Sequence, residues 1–210
     1  MSSKEGILIV ISGFSGAGKG TLMKRLLSDY DEFALSISMT SRGMREGEEN
    51  GREYFFVTRE EFEQAIKEDK LLEHAEYCGN YYGTPKEYVD TQLKAGKNVI
   101  LEIEVQGAMQ IRKKFPRALL LYVTPPSIAE LERRLRARGT ESDEAIRRRL
   151  TQAKEEVNYI HDYDYLVIND NLDECVKEMY GITCASAFEI KRQQDLISEL
   201  SKELSELKIQ

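Results

Sequence analysis

The sequence predicts an α/β fold of three layers, in which helices cover both faces of a central parallel sheet. Three observations lead to this prediction. Short runs rich in β-branched residues alternate with helical patterns along most of the 210 residues. A glycine-rich loop separates the first predicted strand from the first predicted helix. Between about residues 37 and 88 the alternation gives way to short mixed patterns, which indicate an inserted subdomain.

The first half of the chain begins with a strand, the loop and a helix. Residues 6–11 are predicted as a strand buried on both faces, because their apolar side chains are continuous. Residues 19–30 have helical spacing, with leucines on one side. Within the inserted stretch, the sequence predicts a short strand at residues 54–57 and one helix at about residues 59–69.

The second half continues the alternation. Its predicted strands lie at residues 98–103, 118–123 and 165–168. Its predicted helices lie at about residues 106–115, 127–138 and 142–160, and a long final helix follows the last strand. Ser127 and Ser142 are the expected N-caps of two of these helices, and Ser127 with Glu130 has the spacing of a capping box.

The overall composition narrows the class of partner. Hydrophobic residues make up 41% of the chain, charged residues 32%, and the net charge is −7. An acidic protein is not expected to coat nucleic acid, because a phosphate backbone requires a basic surface. No apolar run approaches the roughly 20 residues of a membrane span. Three cysteines without a C-x-x-C pair fit a reduced, cytoplasmic protein. With nucleic acid and a membrane both disfavoured, the expected partners are small molecules.

The segment between the first strand and the first helix predicts a phosphate-binding loop. Its glycines allow consecutive N–H groups to point at one anion, and the helix that follows adds the positive end of its dipole. Lys19 is positioned to neutralise phosphate charge during transfer. A glycine turn without a ligand is the alternative, which this frame disfavours. The residues concerned are Gly13, Ser15, Gly16, Ala17, Gly18, Lys19, Gly20 and Thr21.

Three further segments follow recognisable patterns. Residues 38–56 fit S-x-T-T-R-x-x-R-x-G-E-x-x-G-x-D/E-Y-x-F at nearly every fixed position. Residues 73–84 fit E-x-A-x-x-x-G-x-Y-Y-G-T, and residues 100–107 fit I-L-D/E-I-D/E-x-Q-G. On these segments and the loop, the chain resembles the guanylate kinase family over about residues 7–185.

The resemblance implies a P-loop kinase fold with three parts. Residues 1–36 and 90–210 would form the core, with a helical lid at about residues 126–160, and residues 37–89 would form an inserted GMP-binding subdomain. The implied reaction transfers the γ-phosphoryl group of ATP to GMP, and to dGMP. The implied cofactor is Mg²⁺, held largely through phosphates and waters, because Gly20 replaces the hydroxyl residue that usually follows the loop lysine.

The resemblance also assigns roles to individual side chains. The GMP-binding residues it implies are Ser38, Arg42, Arg45, Glu48, Tyr54, Glu73, Tyr82, Thr84 and Glu104. The lid would contribute Arg134, Arg138 and Arg149 to catalysis together with Lys19, and Asn169 would lie near the adenine. Glu102 would reach the metal through water. Since Glu102 and Glu104 are two apart in a predicted strand, both are expected on one face at its carboxyl end.

The chemistry of these residues agrees with the implied substrate. Arg42 and Arg45 are three apart and can converge on one phosphate with bidentate hydrogen bonds. Guanine presents two adjacent donors, its N1–H and its amino group, so a carboxylate such as Glu73 is its natural partner. Each feature taken alone has an ordinary alternative. For the arginines it is a solvated pair, for Glu73 a surface carboxylate, and for the lid a solvated basic face.

Two other functions remain open at this point. A kinase of the same fold could use another acceptor, as ribose 1,5-bisphosphate kinase does, although the guanine-facing residues argue against it. A guanylate-kinase-like domain could instead bind peptides without catalysis, although such domains typically lack the intact loop seen here.

The end of the chain carries a narrow apolar stripe. Leu196, Leu200, Leu204 and Leu207 are spaced by four, four and three residues. This spacing predicts either a helix that packs on its own domain or a short coiled-coil contact between two copies. Both a monomer and a homodimer are compatible with it.

Overall fold

The structure is a computed structural model and describes residues 5–77, 79–137 and 142–207. Its central sheet has five strands, and every neighbouring pair is parallel. In spatial order these are β2 (Phe33–Leu35), β7 (Asn98–Glu102), β1 (Leu8–Gly13), β8 (Leu119–Thr124) and β9 (Tyr165–Ile168). In the central β1, Ile9 and Ile11 face one core while Leu8 and Val10 face the other, because side chains alternate along a strand.

Helices cover both faces of this sheet. On one face lie α1 (Lys19–Asp29) and α7 (Leu172–Ser186), and on the other lie α3 (Lys86–Lys94) and α4 (Val105–Lys114). The predicted three-layer α/β fold is thereby confirmed. No helix in the described part of the chain is long and apolar enough to cross a membrane.

A second, four-stranded sheet is built from the segment between β2 and β7. Its spatial order is β4 (Phe55–Phe56), β3 (Met39–Thr40), β6 (Asn80–Pro85) and β5 (Leu71–Tyr77). Helix α2 (Arg59–Lys67) packs on it through Phe62 and Ala65, which form a small separate core with Leu71. Helix α2 begins with a complete capping box between Thr58 and Glu61, whose T-x-x-E spacing is visible in the sequence.

Two helices follow β8, and they are α5 (Ile128–Ala137) and α6 (Asp143–Glu156). The predicted serine caps are confirmed, since Ser127 Oγ accepts from the Glu130 N–H at 3.1 Å and Ser142 Oγ accepts from the Ala145 N–H at 3.3 Å. The capping box predicted for α5 is only half formed. The carboxylate of Glu130 accepts hydrogen bonds from Arg133 and Arg134, so it does not face the Ser127 N–H.

The prediction of one long final helix was wrong. Helix α7 ends at Ser186, a short 3-10 helix spans Ile190–Arg192, and α8 covers Gln194–Glu206. The break contains neither glycine nor proline. Side-chain hydrogen bonds hold it instead. Gln193 donates to the nearby Ala187 carbonyl at 2.6 Å, and Arg192 donates to the Arg117 carbonyl, which is distant in sequence.

Candidate active site

The loop between β1 and α1 curls tightly enough that glycine is required at two positions. Gly16 has φ of 96° and Gly18 has φ of 91°, a left-handed conformation that residues with a Cβ avoid. A Cβ on Gly18 would lie 2.5 Å from Asn169 Nδ2, and one on Gly16 would lie 2.8 Å from Leu135 Cδ2. The loop therefore combines a strained turn with close packing against its neighbours.

A cavity of about 400 Å³ opens above this loop. It is lined by Ser15, Gly16, Gly18, Lys19, Gly20, Thr21, Lys24 and Glu102. The first turn of α1 contains no acidic residue, so the positive end of the helix dipole is not offset. Lys19 Nζ donates to the carbonyl of Gly13 at 2.6 Å and to that of Phe14 at 3.3 Å. Both of these acceptors are neutral, so neither contact offsets the charge of the lysine. The cavity has the size, charge and backbone geometry of a phosphate site.

Three side chains from distant parts of the chain contact the loop. From α5, Arg134 Nη1 lies 3.4 Å from the Ala17 carbonyl, while its Nε donates to Glu130 at 2.7 Å. From α6, Arg149 donates to the Ser15 hydroxyl. Asn169, buried just after β9, donates to the Ala17 carbonyl at 2.8 Å. Arg138, the remaining predicted lid arginine, lies outside the described residues.

Glu102 ends β7 and lines the same cavity. Partial enclosure raises the pKa of Glu102. The charge of Lys19 opposes this rise, and the neighbouring charge of Glu104 adds to it. The expectation that Glu102 and Glu104 share one face of a strand was wrong. The strand stops at Glu102, and Glu104 is the N-cap residue of α4, where the chain has already turned.

A second cluster forms around Arg42. Its guanidinium donates to both oxygens of Glu48, at 2.8 and 3.0 Å, and lies 5.5 Å from the ring centres of Tyr54 and Phe56. The side chains of Arg42 and Glu48 are only 12% and 17% exposed. Glu48 also accepts from the backbone N–H of Arg45 at 2.7 Å, so its carboxylate is occupied by protein donors.

The ionisation of this cluster is fixed by its contacts. The hydrogen bond to Glu48 raises the pKa of Arg42, and the hydrogen bond from Arg42 lowers the pKa of Glu48. Burial raises the pKa of Tyr54, and smaller contributions come from Tyr82 and Glu102. The charge of Glu102, which lines the loop cavity, therefore reaches the arginine cluster. Arg45 itself is exposed and joins the cluster through its backbone.

A third group contains a buried carboxylate on β5. Glu73 is 4% exposed, and its Oε1 accepts from the hydroxyl of fully buried Thr84 at 2.7 Å. A Cβ on Gly107 would lie 2.5 Å from Glu73 Oε2, so glycine at this point of α4 leaves room for the carboxylate. Desolvation raises the pKa of Glu73 to about 7, against the opposing effects of the Thr84 hydrogen bond and the charge of Lys114.

The structure thus brings the predicted residues into three neighbouring groups. The loop residues, Glu102, Arg134, Arg149 and Asn169 form the first group, and the Arg42 cluster forms the second. Glu73 and Thr84 form the third, while Ser38 is half-buried on the approach to β3. Two contributors were missed in the sequence, Gly107 beside Glu73 and Glu130 beside Arg134. The i to i+4 spacing of Glu130 and Arg134 on a helix was the available signal.

The protein has a parallel sheet with a glycine-rich loop at the carboxyl end of its central strand, and arginines from two later helices contact that loop. These features define a P-loop phosphotransferase of the kinase class. The family model described as "Guanylate kinase" matches residues 5–185. The chain therefore belongs to the guanylate kinase family.

Relatives and solved structures agree with this assignment. The chain is 47% identical over 193 residues to a guanylate kinase of Desulfitobacterium hafniense (strain Y51), covering 92% of this chain and 96% of the relative. It is 51% identical over 181 residues to a guanylate kinase of Listeria innocua, covering 86% and 88% of the two chains. The crystal structure of guanylate kinase from Anaplasma phagocytophilum superposes with a TM-score of 0.72 at 30% identity, covering 91% of this chain and 92% of that one.

Proposed function

We propose that this protein transfers the γ-phosphoryl group of ATP to GMP, and also to dGMP, giving ADP and the diphosphate. The observation that carries the proposal is the buried Glu73–Thr84 pair, which packs against Gly107 of α4, the helix that follows Glu102 of the phosphate-loop cavity. Its partners are ATP and GMP, with no part for nucleic acid or a membrane. We assign the reaction to purine nucleotide metabolism in the cytoplasm.

The donor nucleotide is proposed to bind at the loop, with its phosphates on the inward N–H groups of residues 15–21. Lys19 would exchange its loop carbonyls for the β- and γ-phosphates, because an anion binds an ammonium group more strongly than a neutral carbonyl does. Arg134, Arg149 and Arg138 would stabilise charge on the transferring group, and Asn169 would lie near the adenine. Transfer is direct and in line, so the protein supplies position and charge rather than a nucleophile.

The residues that line the phosphate-loop cavity fit a magnesium ion that arrives with the nucleotide. Glu102 and Thr21 offer one carboxylate and one hydroxyl, which suits Mg²⁺ that keeps several waters and is held mainly by phosphates. In the described part of the chain, no group of three His, Cys, Asp or Glu side chains could hold a metal by itself. When bound, the ion would neutralise developing charge on the phosphate oxygens.

The acceptor phosphate is proposed to bind at Arg42 and Arg45, with Tyr54 and Tyr82 as neutral donors. Glu48 is then a positioning residue, because both its oxygens are held by Arg42 and a carboxylate would repel the phosphate itself. This arrangement fixes the guanidinium plane before the substrate arrives. It therefore removes part of the entropy cost of binding.

The acceptor base is proposed to bind at Glu73, with Ser38, Thr84 and Glu104 as further polar partners. The Thr84 hydroxyl uses Oε1 of Glu73 and leaves lone pairs for the N1–H and amino group of guanine. Adenine has no donors at those positions, so AMP would leave the buried carboxylate unpaired.

A coupled assay of ADP formation across GMP, dGMP, IMP, AMP, CMP and UMP tests the proposal. We expect turnover with GMP and dGMP, background rates with AMP, CMP and UMP, and an intermediate rate with IMP, which lacks only the amino group. Equal use of AMP and GMP would reduce the assignment to a monophosphate kinase of another acceptor. ADP formation with none of them would favour a binding module.

A second prediction concerns Glu48. In Glu48→Gln, one oxygen that faces Arg42 becomes a donor, and the bidentate pair is lost. We expect the KM for GMP to rise by about 10- to 100-fold, equivalent to roughly 1.5–3 kcal/mol, with the KM for ATP unchanged. Steady-state kinetics with each substrate varied in turn measures both constants.

The matched control is Glu49→Gln, because the Glu49 carboxylate is exposed and pairs only with exposed Arg52 among the contacts described, at 2.8 Å. This variant should behave like the parent. An unchanged KM for GMP in Glu48→Gln would remove its positioning role. A rise confined to the KM for ATP would assign the arginine cluster to the other nucleotide.

A further inference from the structure

Strand β5 carries Glu73 on an irregular stretch at the edge of the second sheet. In the sheet as described, β5 is the outermost strand and pairs with β6 alone. Its register with β6 shifts between Leu71 and His74, where three steps along β5 span two steps along β6. Leu72 and Glu73 lie within this β-bulge, and a bulge re-aims the side chains that it contains. Regular pairing with β6 is therefore interrupted at the residue that we propose recognises the base.

The outer edge of β5 lies against α4, a helix of the main sheet. Gln110 Nε2 donates to the His74 carbonyl at 2.8 Å, and Gln110 Oε1 accepts from the His74 N–H at 3.3 Å. One turn further along α4, Lys114 Nζ donates to the Leu72 carbonyl at 3.0 Å. A glutamine amide offers a donor and an acceptor as a peptide group does, so Gln110 takes the place of a neighbouring strand. These backbone contacts flank Glu73 on both sides.

One face of α4 provides all of these contacts. Gly107, Gln110 and Lys114 are spaced by three and four residues, which places them on the same side of a helix. The Gly107 backbone leaves the room that Glu73 Oε2 occupies, because a Cβ there would lie 2.5 Å from that oxygen. The side chain of Leu72 is buried in the core that α4 shares with the main sheet. The helix therefore contacts the carboxylate and holds the backbone before and after it.

We propose that Gln110 is a positioning residue for recognition of the guanine base. Its paired hydrogen bonds to His74 hold the bulged edge of β5 on α4 and thereby place the Glu73 carboxylate. The inference rests on the proposed function, in which that carboxylate accepts from the N1–H and the amino group of guanine. A shift of about 1 Å misaligns such a pair of hydrogen bonds. The contribution of the amino group, which IMP lacks, is therefore the quantity most sensitive to Gln110.

The test compares full-length Gln110→Met with full-length Gln64→Met. Methionine keeps the length and the helix propensity of glutamine and removes both hydrogen bonds to His74. Gln64 is the matched control, because it lies exposed on α2, the helix that packs on the same sheet, and donates to Glu68 at 2.6 Å. Steady-state kinetics gives kcat and KM with GMP, IMP and ATP varied in turn.

We expect the KM for GMP to rise about 10-fold in Gln110→Met, and the ratio of kcat/KM for GMP to that for IMP to fall at least about fivefold. The KM for ATP should stay at the parent value, and Gln64→Met should match the parent throughout. The ratio separates positioning from lost stability, because partial unfolding lowers the rate with GMP and with IMP alike.

Two results would overturn the proposal in distinguishable ways. If Gln110→Met keeps the parent's ratio of GMP to IMP use, Gln110 does not position the carboxylate, and the proposed function stands. If the parent itself uses IMP as well as GMP, the role of Glu73 in guanine recognition fails, and that of Gln110 fails with it.

Hydrogen exchange in the nucleotide-free parent supplies a measurement that does not depend on the variant. The N–H groups of His74 and Glu76 point to the same outer edge of β5, because successive residues of a strand alternate. We expect the His74 amide to exchange at least about tenfold more slowly than the Glu76 amide, since Gln110 accepts from it. The difference should disappear in Gln110→Met. Equal rates in the parent would overturn the proposal even if the variant failed to fold.

Discussion

Lys19→Ala is expected to lower the rate of phosphoryl transfer by at least about 10³-fold, equivalent to roughly 4 kcal/mol of transition-state stabilisation. The reason is that Lys19 is the loop cation that can follow the γ-phosphoryl group as negative charge shifts during transfer. In the free protein its Nζ donates only to the carbonyls of Gly13 and Phe14 among the contacts described. Loss of these bonds at an open cavity should cost less than about 1 kcal/mol of folding stability.

The matched control is Arg25→Ala, which removes a positive charge from the same helix. Arg25 pairs with Asp29 at 2.7 Å and with Asp173 at 3.0 Å, outside the residues that line the cavity. This control should retain the parent rate. Activity of Lys19→Ala within about tenfold of the parent, with an unchanged circular dichroism spectrum, would contradict the role given to Lys19.

The central part of the fold was predictable because its signals are local. The strand, glycine loop and helix around Lys19 are adjacent in sequence, and the buried strands of a parallel sheet are continuous apolar runs. β9, at residues 165–168, was predicted with its observed bounds. Strands β5 and β6 were not predicted, because their polar and apolar residues do not alternate cleanly.

Features that depend on tertiary contacts were not predictable in the same way. The break after Ser186 has no glycine or proline and is held by side-chain hydrogen bonds, of which the one from Arg192 reaches the distant Arg117 carbonyl. Glu104 was placed on a strand because the apolar pattern does not mark where β7 stops. The orientation of Glu48 toward Arg42 required the three-dimensional path of the 42–48 loop.

Glu73, which we propose binds guanine, also lowers the stability of the folded protein where it is ionised. Burial favours its protonated form in the folded protein, and its pKa is raised from an ordinary 4.5 to about 7. In the unfolded chain the proton leaves near the ordinary pKa. Between these two values the unfolded state binds fewer protons than the folded state, so the free energy of unfolding falls as pH rises from about 4.5 to about 7. The loss is on the order of 3 kcal/mol and stays constant at higher pH.

Glu73→Gln separates these two effects. Glutamine keeps the size and can still accept from Thr84, but it places a donor against the donors of guanine. We expect a loss of roughly 2–4 kcal/mol in kcat/KM for GMP, with the KM for ATP unchanged. Because glutamine has no charge to desolvate, the variant should be more stable than the parent at pH 8, and the difference should shrink as pH falls toward 4.5.

Two measurements over the same pH range decide whether Glu73 selects guanine as a carboxylate. Guanine needs an acceptor, so the parent KM for GMP should rise as pH drops from about 8 to 6 and Glu73 takes up a proton. The substrate phosphate titrates near pH 6, and Glu73→Gln should retain only that part of the pH dependence. Glu76→Gln, on the same strand but exposed toward Arg59, is the matched control and should match the parent in kinetics and stability. Intact GMP turnover in Glu73→Gln, or a pH dependence of the KM for GMP that is identical in parent and variant, would show that another group recognises the guanine base.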